Sequence, residues 1–158
     1  EAQPALVVCA VQVQDPGNVG AILRSADAAG ATGAAVAAGS ADPFGWKALR
    51  GSMGSAFRLP VAAGASVDEV CREARARGVR IAAAVPAAGT GLHDADLTGP
   101  VLVLVGGEGA GLPPAVRDAA DLCLSIPMRP PVESLNVAAA AALVVYEARR
   151  QRAARGIR

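Results

Sequence analysis

Residues 101–112 read Val-Leu-Val-Leu-Val-Gly-Gly-Glu-Gly-Ala-Gly-Leu. Five consecutive apolar residues of β type suit a strand buried on both faces of a parallel sheet. The glycine-rich run begins where that strand must stop, and in open parallel sheets ligands bind just beyond the carboxyl ends of the strands. Glycines at 106, 107, 109 and 111 let the backbone approach a ligand closely. Glu108 is the one charged group of this loop. Its place directly after a buried strand favours an acceptor for loop amides, or a ligand contact, over a plain surface residue.

Working outward, residues 5–13 (ALVVCAVQV) form a valine-rich strand, broken by the turn residues Asp15-Pro16-Gly17. The pattern NVGAILRSADAAG then predicts a helix over 19–29, with Asn18 as its cap and Gly30 as its stop. Residues 33–38 and 57–62 read as short strands, and the polar stretch between them as a loop with one short helix. Ser66 caps a helix over 67–77, Gly78 ends it, and a strand over 79–85 follows. Beyond the glycine-rich loop come a short helix at 114–120, a strand at 122–126, a proline-rich loop and a long helix over about 135–154. Strands alternating with helices define an α/β fold, a parallel sheet with helices on both sides.

The chain has 158 residues, suited to one domain with a real core. Hydrophobic residues make up 53% but aromatics only 3%, so the core must be aliphatic. A net charge of +1 gives no overall field to draw a polyanion, which leaves local arginines or another domain to bind nucleic acid. Cys9, Cys71 and Cys123 lie far apart without Cys-x-x-Cys spacing, which speaks against a zinc site or disulfide framework and for a reducing cytoplasm. No apolar run reaches the ~20 residues that span a bilayer. The first residue is Glu1, consistent with a chain trimmed from a longer protein.

Three segments carry candidate chemistry. Asn18 and Arg24 bracket a helical turn behind a tight loop, where capping and solvation are the plain alternatives. The glycine-rich loop departs from the dinucleotide order G-x-G-x-x-G, and Glu133 does not sit at a second strand's end, which counts against a nicotinamide-dependent enzyme. In the third segment, Ser134 and Asn136 stand at a helix start, the usual place for capping, with Leu135 as packing between them. Residues 137–145 are apolar around the helix rather than along a stripe, so one face meets the sheet and another meets something else, a partner subunit being the natural candidate. His93 sits in the turn-like GLHDADLTG and is assigned no role.

Asn18 and Gly20 followed by Arg24, Gly106-x-Glu108-x-x-Gly111-Leu112, and Ile126-Pro127-Met128 with Ser134-Leu135-Asn136-Val137 together resemble the three motifs of the SpoU/TrmH family of RNA ribose 2'-O-methyltransferases. The stretch ADPFGWKALRGSMGSAFRLPV is similar to the family's segment between the first two motifs, so the resemblance covers nearly the whole chain. It implies S-adenosylmethionine as cofactor, RNA as substrate (rRNA ahead of tRNA), no metal, a homodimer around the active site and a C-terminal segment threaded into a trefoil knot, the SPOUT fold. By the same resemblance Gly106, Ile126 and Leu135, helped by Val105, Gly107 and Met128, hold the cofactor, while Asn18, Arg24, Glu108, Ser134 and Asn136 surround the transferred methyl and the ribose hydroxyl. Arg24 is the implied hydroxyl activator. A guanidinium holds its proton tightly, so gripping the ribose phosphate is the other role open to it.

Departures are small: Gly107 occupies a place often held by asparagine, proline or alanine, and Ala138 one where serine is frequent. An N-terminal RNA-binding domain, carried by many members, is expected to be missing from this chain. Alternatives to the enzyme are a non-catalytic RNA-binding or assembly module that keeps the pocket, or the nicotinamide-dependent enzyme weighed above.

Overall fold

The structure, a computed structural model, describes residues 3–157. Its strands are β1 (Leu6–Val11), β2 (Gly33–Val36), β3 (Val61–Ala63), β4 (Arg80–Val85), β5 (Thr90–Gly91), β6 (Val101–Gly106) and β7 (Leu122–Ser125). Its helices are α1 (Pro16–Ala28), α2 (Trp46–Ser52), α3 (Ser55–Arg58), α4 (Val67–Ala76), α5 (Pro114–Asp118) and α6 (Val137–Ala154). All the strands pair in parallel, in the order β3-β2-β1-β6-β4-β7-β5.

The stretch Val101–Val105 lies between β1 and β4 and is buried throughout. Alternation along it separates two cores. Val101, Val103 and Val105 pack with α1 and α6 residues such as Ile22, Leu23 and Val144, while Leu102 and Leu104 pack with Cys71 of α4 and Leu112. Helices thus cover both faces, as the alternation of elements predicts. The core is more strictly aliphatic than the composition requires. Phe44, Trp46, Phe57 and Tyr146, which are all the aromatics of the chain, stand at the surface.

Three local readings change. Helix α1 starts at Pro16 rather than 19, because Asp15, not Asn18, is its cap. The Asp15 carboxylate accepts from Gly17 N at 2.7 Å and Asn18 N at 3.4 Å, and Pro16 at the first helical position loses nothing by lacking an N–H. Residues 57 and 58 are helical, not extended. Ser55 Oγ donates to Asp27 at 2.8 Å and Arg58 Nε to the same carboxylate at 3.0 Å, docking α3 on α1 as a helical turn, so the strand begins only after Pro60. The polar stretch holds two helices, separated by Met53 and Gly54 at positive φ. The two-residue strand β5, paired to β7, has no sequence signal.

Two packing features fix the frame around the site. α2 crosses α1 so closely that a Cβ on Gly20 would lie 2.4 Å from Ala48 O, so only glycine permits the crossing. At the amino ends of the strands the buried Arg152 of α6 donates to the carbonyls of Leu97 (3.2 Å), Gly99 (2.8 Å), Pro4 (2.8 Å) and Ala5 (3.0 Å). One guanidinium therefore joins the last helix to the start of β1 and the turn before β6. Among the described residues no helix is long and apolar enough to cross a membrane.

Candidate active site

A cavity of about 460 Å³ opens at the carboxyl ends of β4, β6 and β7, a volume within the usual range for a small-molecule site. Its walls come from Ala84 and Val85 of β4, Val105 and Gly106 of β6, the glycine-rich loop to Leu112, and Leu124 and Ile126 at the end of β7. Met128, Ser134, Leu135, Asn136, Val137 and Ala140 close it from the proline-rich loop and the start of α6. Every cofactor residue proposed from the sequence, Val105, Gly106, Gly107, Ile126, Met128 and Leu135, is in this wall.

The loop owes its shape to two close approaches. A Cβ on Gly106 would lie 2.3 Å from the Gly111 carbonyl carbon, since the loop folds back on the strand end through a Gly107–Gly111 bridge. A Cβ on Gly107 would lie 1.9 Å from Gln12 O, at the end of β1, where Gln12 takes φ 54°. In this chain, then, position 107 is not the freely variable place the resemblance suggests. The carbonyl beside it leaves room for hydrogen alone.

Three separated segments meet through side chains at the cavity mouth. Asn136 caps α6: its Oδ1 accepts from Ala138 N at 2.9 Å and Ala139 N at 3.2 Å. That fixes its amide orientation, so Nδ2 is left to donate, and it does so to Asn18 Oδ1 at 3.1 Å. Asn18 Nδ2 in turn donates to Glu108 Oε1. The capping role expected of Asn136 and its bond to Asn18 are thus held by different atoms of one side chain. Asn18 is released for this chain of bonds because Asp15 does its capping.

Ser134 lines the cavity but does not cap the helix. Arg24 is exposed and is not part of the cavity wall. Six residues after Asn18, it points about a third of a turn away around α1. It shares the α1 face of Gly17, Gly20 and Asp27, between the α2 crossing and the docked α3.

Arg117 of α5 is, with Glu108, one of two charged side chains in the wall, and the sequence did not single it out. Neither did it single out Ala84, Val85 and Pro86. The spatial insertion of β4 between β6 and β7 brings them in, and no local pattern carries that order.

Fold and site define a parallel α/β protein with a glycine-shaped cleft at the strand ends, closed by polar groups from both ends of the chain. Residues 5–146 match the model of the SpoU rRNA Methylase family, and the chain belongs to that family. It is 46% identical over 145 residues to the 23S rRNA (uridine(2479)-2'-O)-methyltransferase of Streptomyces viridochromogenes, covering 87% of this chain and 50% of that protein. It is 39% identical over 137 residues to the 23S rRNA (guanosine(2553)-2'-O)-methyltransferase RlmP of Bacillus subtilis, covering 87% and 55%. The crystal structure of the SpoU methyltransferase AviRb from S. viridochromogenes in complex with AdoMet superposes with a TM-score of 0.90 at 40% identity, covering 97% of this chain and 60% of that one. The chain spans about half the length of the curated relatives it matches.

Proposed function

We propose that this chain is the catalytic domain of an S-adenosylmethionine-dependent RNA ribose 2'-O-methyltransferase, acting on rRNA ahead of tRNA. The observation that carries the reading is the hydrogen-bonded series Asn136–Asn18–Glu108 at the mouth of the cavity. It joins residues from all three motifs, and helix capping alone requires neither of its inter-segment bonds.

The cavity fits the cofactor: backbone at Gly106 and Gly107 lines it directly, held there by close packing on Gly111 and Gln12, and the wall from Ile126, Met128 and Leu135 is apolar, as an adenosine requires. When bound, S-adenosylmethionine supplies a methyl group already activated on sulfonium, so the protein's task is alignment. Gly106, Ile126 and Leu135, with Val105, Gly107 and Met128, would hold the adenosine. Glu108, Asn18, Asn136 and Ser134 position the ribose, the Glu108 carboxylate accepting from its hydroxyls and the two asparagines holding that carboxylate in place. Transfer would form the ribose O–C bond and break the S–C bond, releasing S-adenosylhomocysteine, and these residues would leave the hydroxyl proton free to pass to solvent or phosphate. No metal is part of this reading.

The homodimer belongs to the same reading. Leu143 and Tyr146 of α6 remain about half exposed, and Arg24, off the cavity of its own chain, acts at that of the second copy. Mixing inactive Arg24→Ala and Asn136→Ala variants should then restore part of the activity through mixed dimers. The trefoil threading and a cytoplasmic location, where the free cysteines stay reduced, rest on the resemblance and on composition. So does a separate RNA-binding domain.

The deciding experiment incubates the full-length protein with methyl-labelled S-adenosylmethionine and ribosomal RNA. Label on ribose is the expected result; label on a base, or none, overturns the proposal. Arg24→Ala should abolish turnover and leave S-adenosylhomocysteine affinity intact, which separates an enzyme from a binding module.

A further inference from the structure

Trp46, the only tryptophan of the chain, is 68% exposed at the start of α2. A core role is excluded by that exposure, and Ala48 and Ser52 already bury the opposite side of the helix. Lys47, the chain's single lysine, places its ammonium 5.4 Å from the centre of the indole. This cation–π contact holds the ammonium over the ring, most of which stays open to solvent. Arg50 stands one turn further along, on the same outward side as Trp46.

The charged side chains that α2 presents, Lys47 and Arg50, are both cations. Among the described residues Arg24, Lys47 and Arg50 form no ion pair. The neighbouring carboxylates are occupied: Asp27 by Ser55 and Arg58, Asp42 by the amide of Phe44. A chain of net charge +1 thus concentrates free cations beside an exposed ring.

The place is also right. The turn Ala48–Ser52 packs on Gly17 and Gly20, on the face of α1 that carries Arg24. Trp46 lies only about 8 Å along α2 from Gly51, on the side of the molecule to which Arg24 belongs.

We propose that Trp46 and Lys47 form a stacking platform for an unpaired RNA base flanking the methylated nucleotide, with Arg50 and Arg24 holding the phosphates beside it. The proposal rests on the methyltransferase reading for its substrate. Stacking on an aromatic face tolerates any base, and an unpaired nucleotide offers the free π-face that a helix conceals. The platform therefore selects a loop or bulge over a duplex, rather than a sequence.

Because Trp46 is the only indole, its fluorescence reports on this surface alone. Titration of the 158-residue chain with a short single-stranded oligoadenylate should quench it saturably, in step with the anisotropy of a labelled copy. Trp46→Ala should weaken oligonucleotide binding about tenfold, and Trp46→Phe much less, with S-adenosylhomocysteine affinity unchanged in both. Absence of quenching up to millimolar oligonucleotide, or equal binding by Trp46→Ala, overturns the platform. So does Trp46→Ala converting a dimer to a monomer in sedimentation, which would make the surface a contact between copies. Failure of S-adenosylhomocysteine to bind the parent chain would instead remove the methyltransferase reading, and the oligonucleotide titration would still decide the platform.

Discussion

Asn136 and Asn18, 118 residues apart in the chain, share a hydrogen bond of 3.1 Å that ties the cap of the last helix to the first turn of the first. The two roles of Asn136 are separable. Asn136→Asp keeps the capping oxygen and loses the donor, while setting a second carboxylate near Glu108. Thermal stability should change by less than about 1 kcal/mol, and single-turnover methyl transfer should fall about a hundredfold. Asn136→Ala should add about 1 kcal/mol of destabilisation for the lost cap. Full activity in the aspartate variant would refute the alignment role.

Two glycines of the same loop should respond differently to alanine. Gly107→Ala drives a methyl into Gln12 O and should cost about 1–3 kcal/mol, together with S-adenosylhomocysteine binding. Gly109 has φ 82° but open space around it, so Gly109→Ala should cost about 1 kcal/mol and leave much of the binding. Urea unfolding and calorimetry on the pair check both expectations.

Arg152 acts far from the cavity. Arg152→Met would strand carbonyls of Pro4, Ala5, Leu97 and Gly99, and stability should drop by about 3 kcal/mol or more in urea unfolding. Cofactor affinity of the folded fraction should hold, because these carbonyls lie at the amino ends of the strands.

Glu147, only 6% exposed, is bonded by Arg150 at 2.8 and 2.9 Å and by Gln151 at 2.9 Å. The Arg150 hydrogen bonds above all hold its carboxyl down at about 2, against burial, which pushes it up; the Gln151 bond and the charges of Arg150 and His93 add to the lowering. A folded-state value below the ordinary 4.5 gives stability that is complete above pH ~4.5 and lost as pH falls towards 2. Glu147→Gln should flatten the stability profile across that window, as read from urea midpoints at stepped pH.

The sheet was legible because β6 announces itself: five apolar residues can be buried on both faces only in a covered parallel sheet. The glycine-rich loop was legible for the same reason, as the place where that strand ends. Strand order was not, because the neighbours of β6 come from residues 6–11 and 80–85, and no local pattern records which segment pairs with which. That is why Ala84 and Val85 carried no signal. Residues 57–58 misled for another reason. Phe57 favours strands by propensity, but the bonds of Ser55 and Arg58 to Asp27, about 30 residues upstream, impose a helical turn. For Arg24 the motif gave the residue, but only helical geometry showed that it faces away from its own cavity.

The distance in sequence between Asn18 and Asn136 also dates the site within the life of the molecule. Nothing shorter than residues 18–136 can hold the Asn18–Glu108–Asn136 arrangement, and α6 must dock before its cap can reach α1. The pocket is therefore completed only once α6 has been made and has docked. A ligand bound there reports that α6 has docked, and a chain that stops short of residue 136 has no means of competing for it.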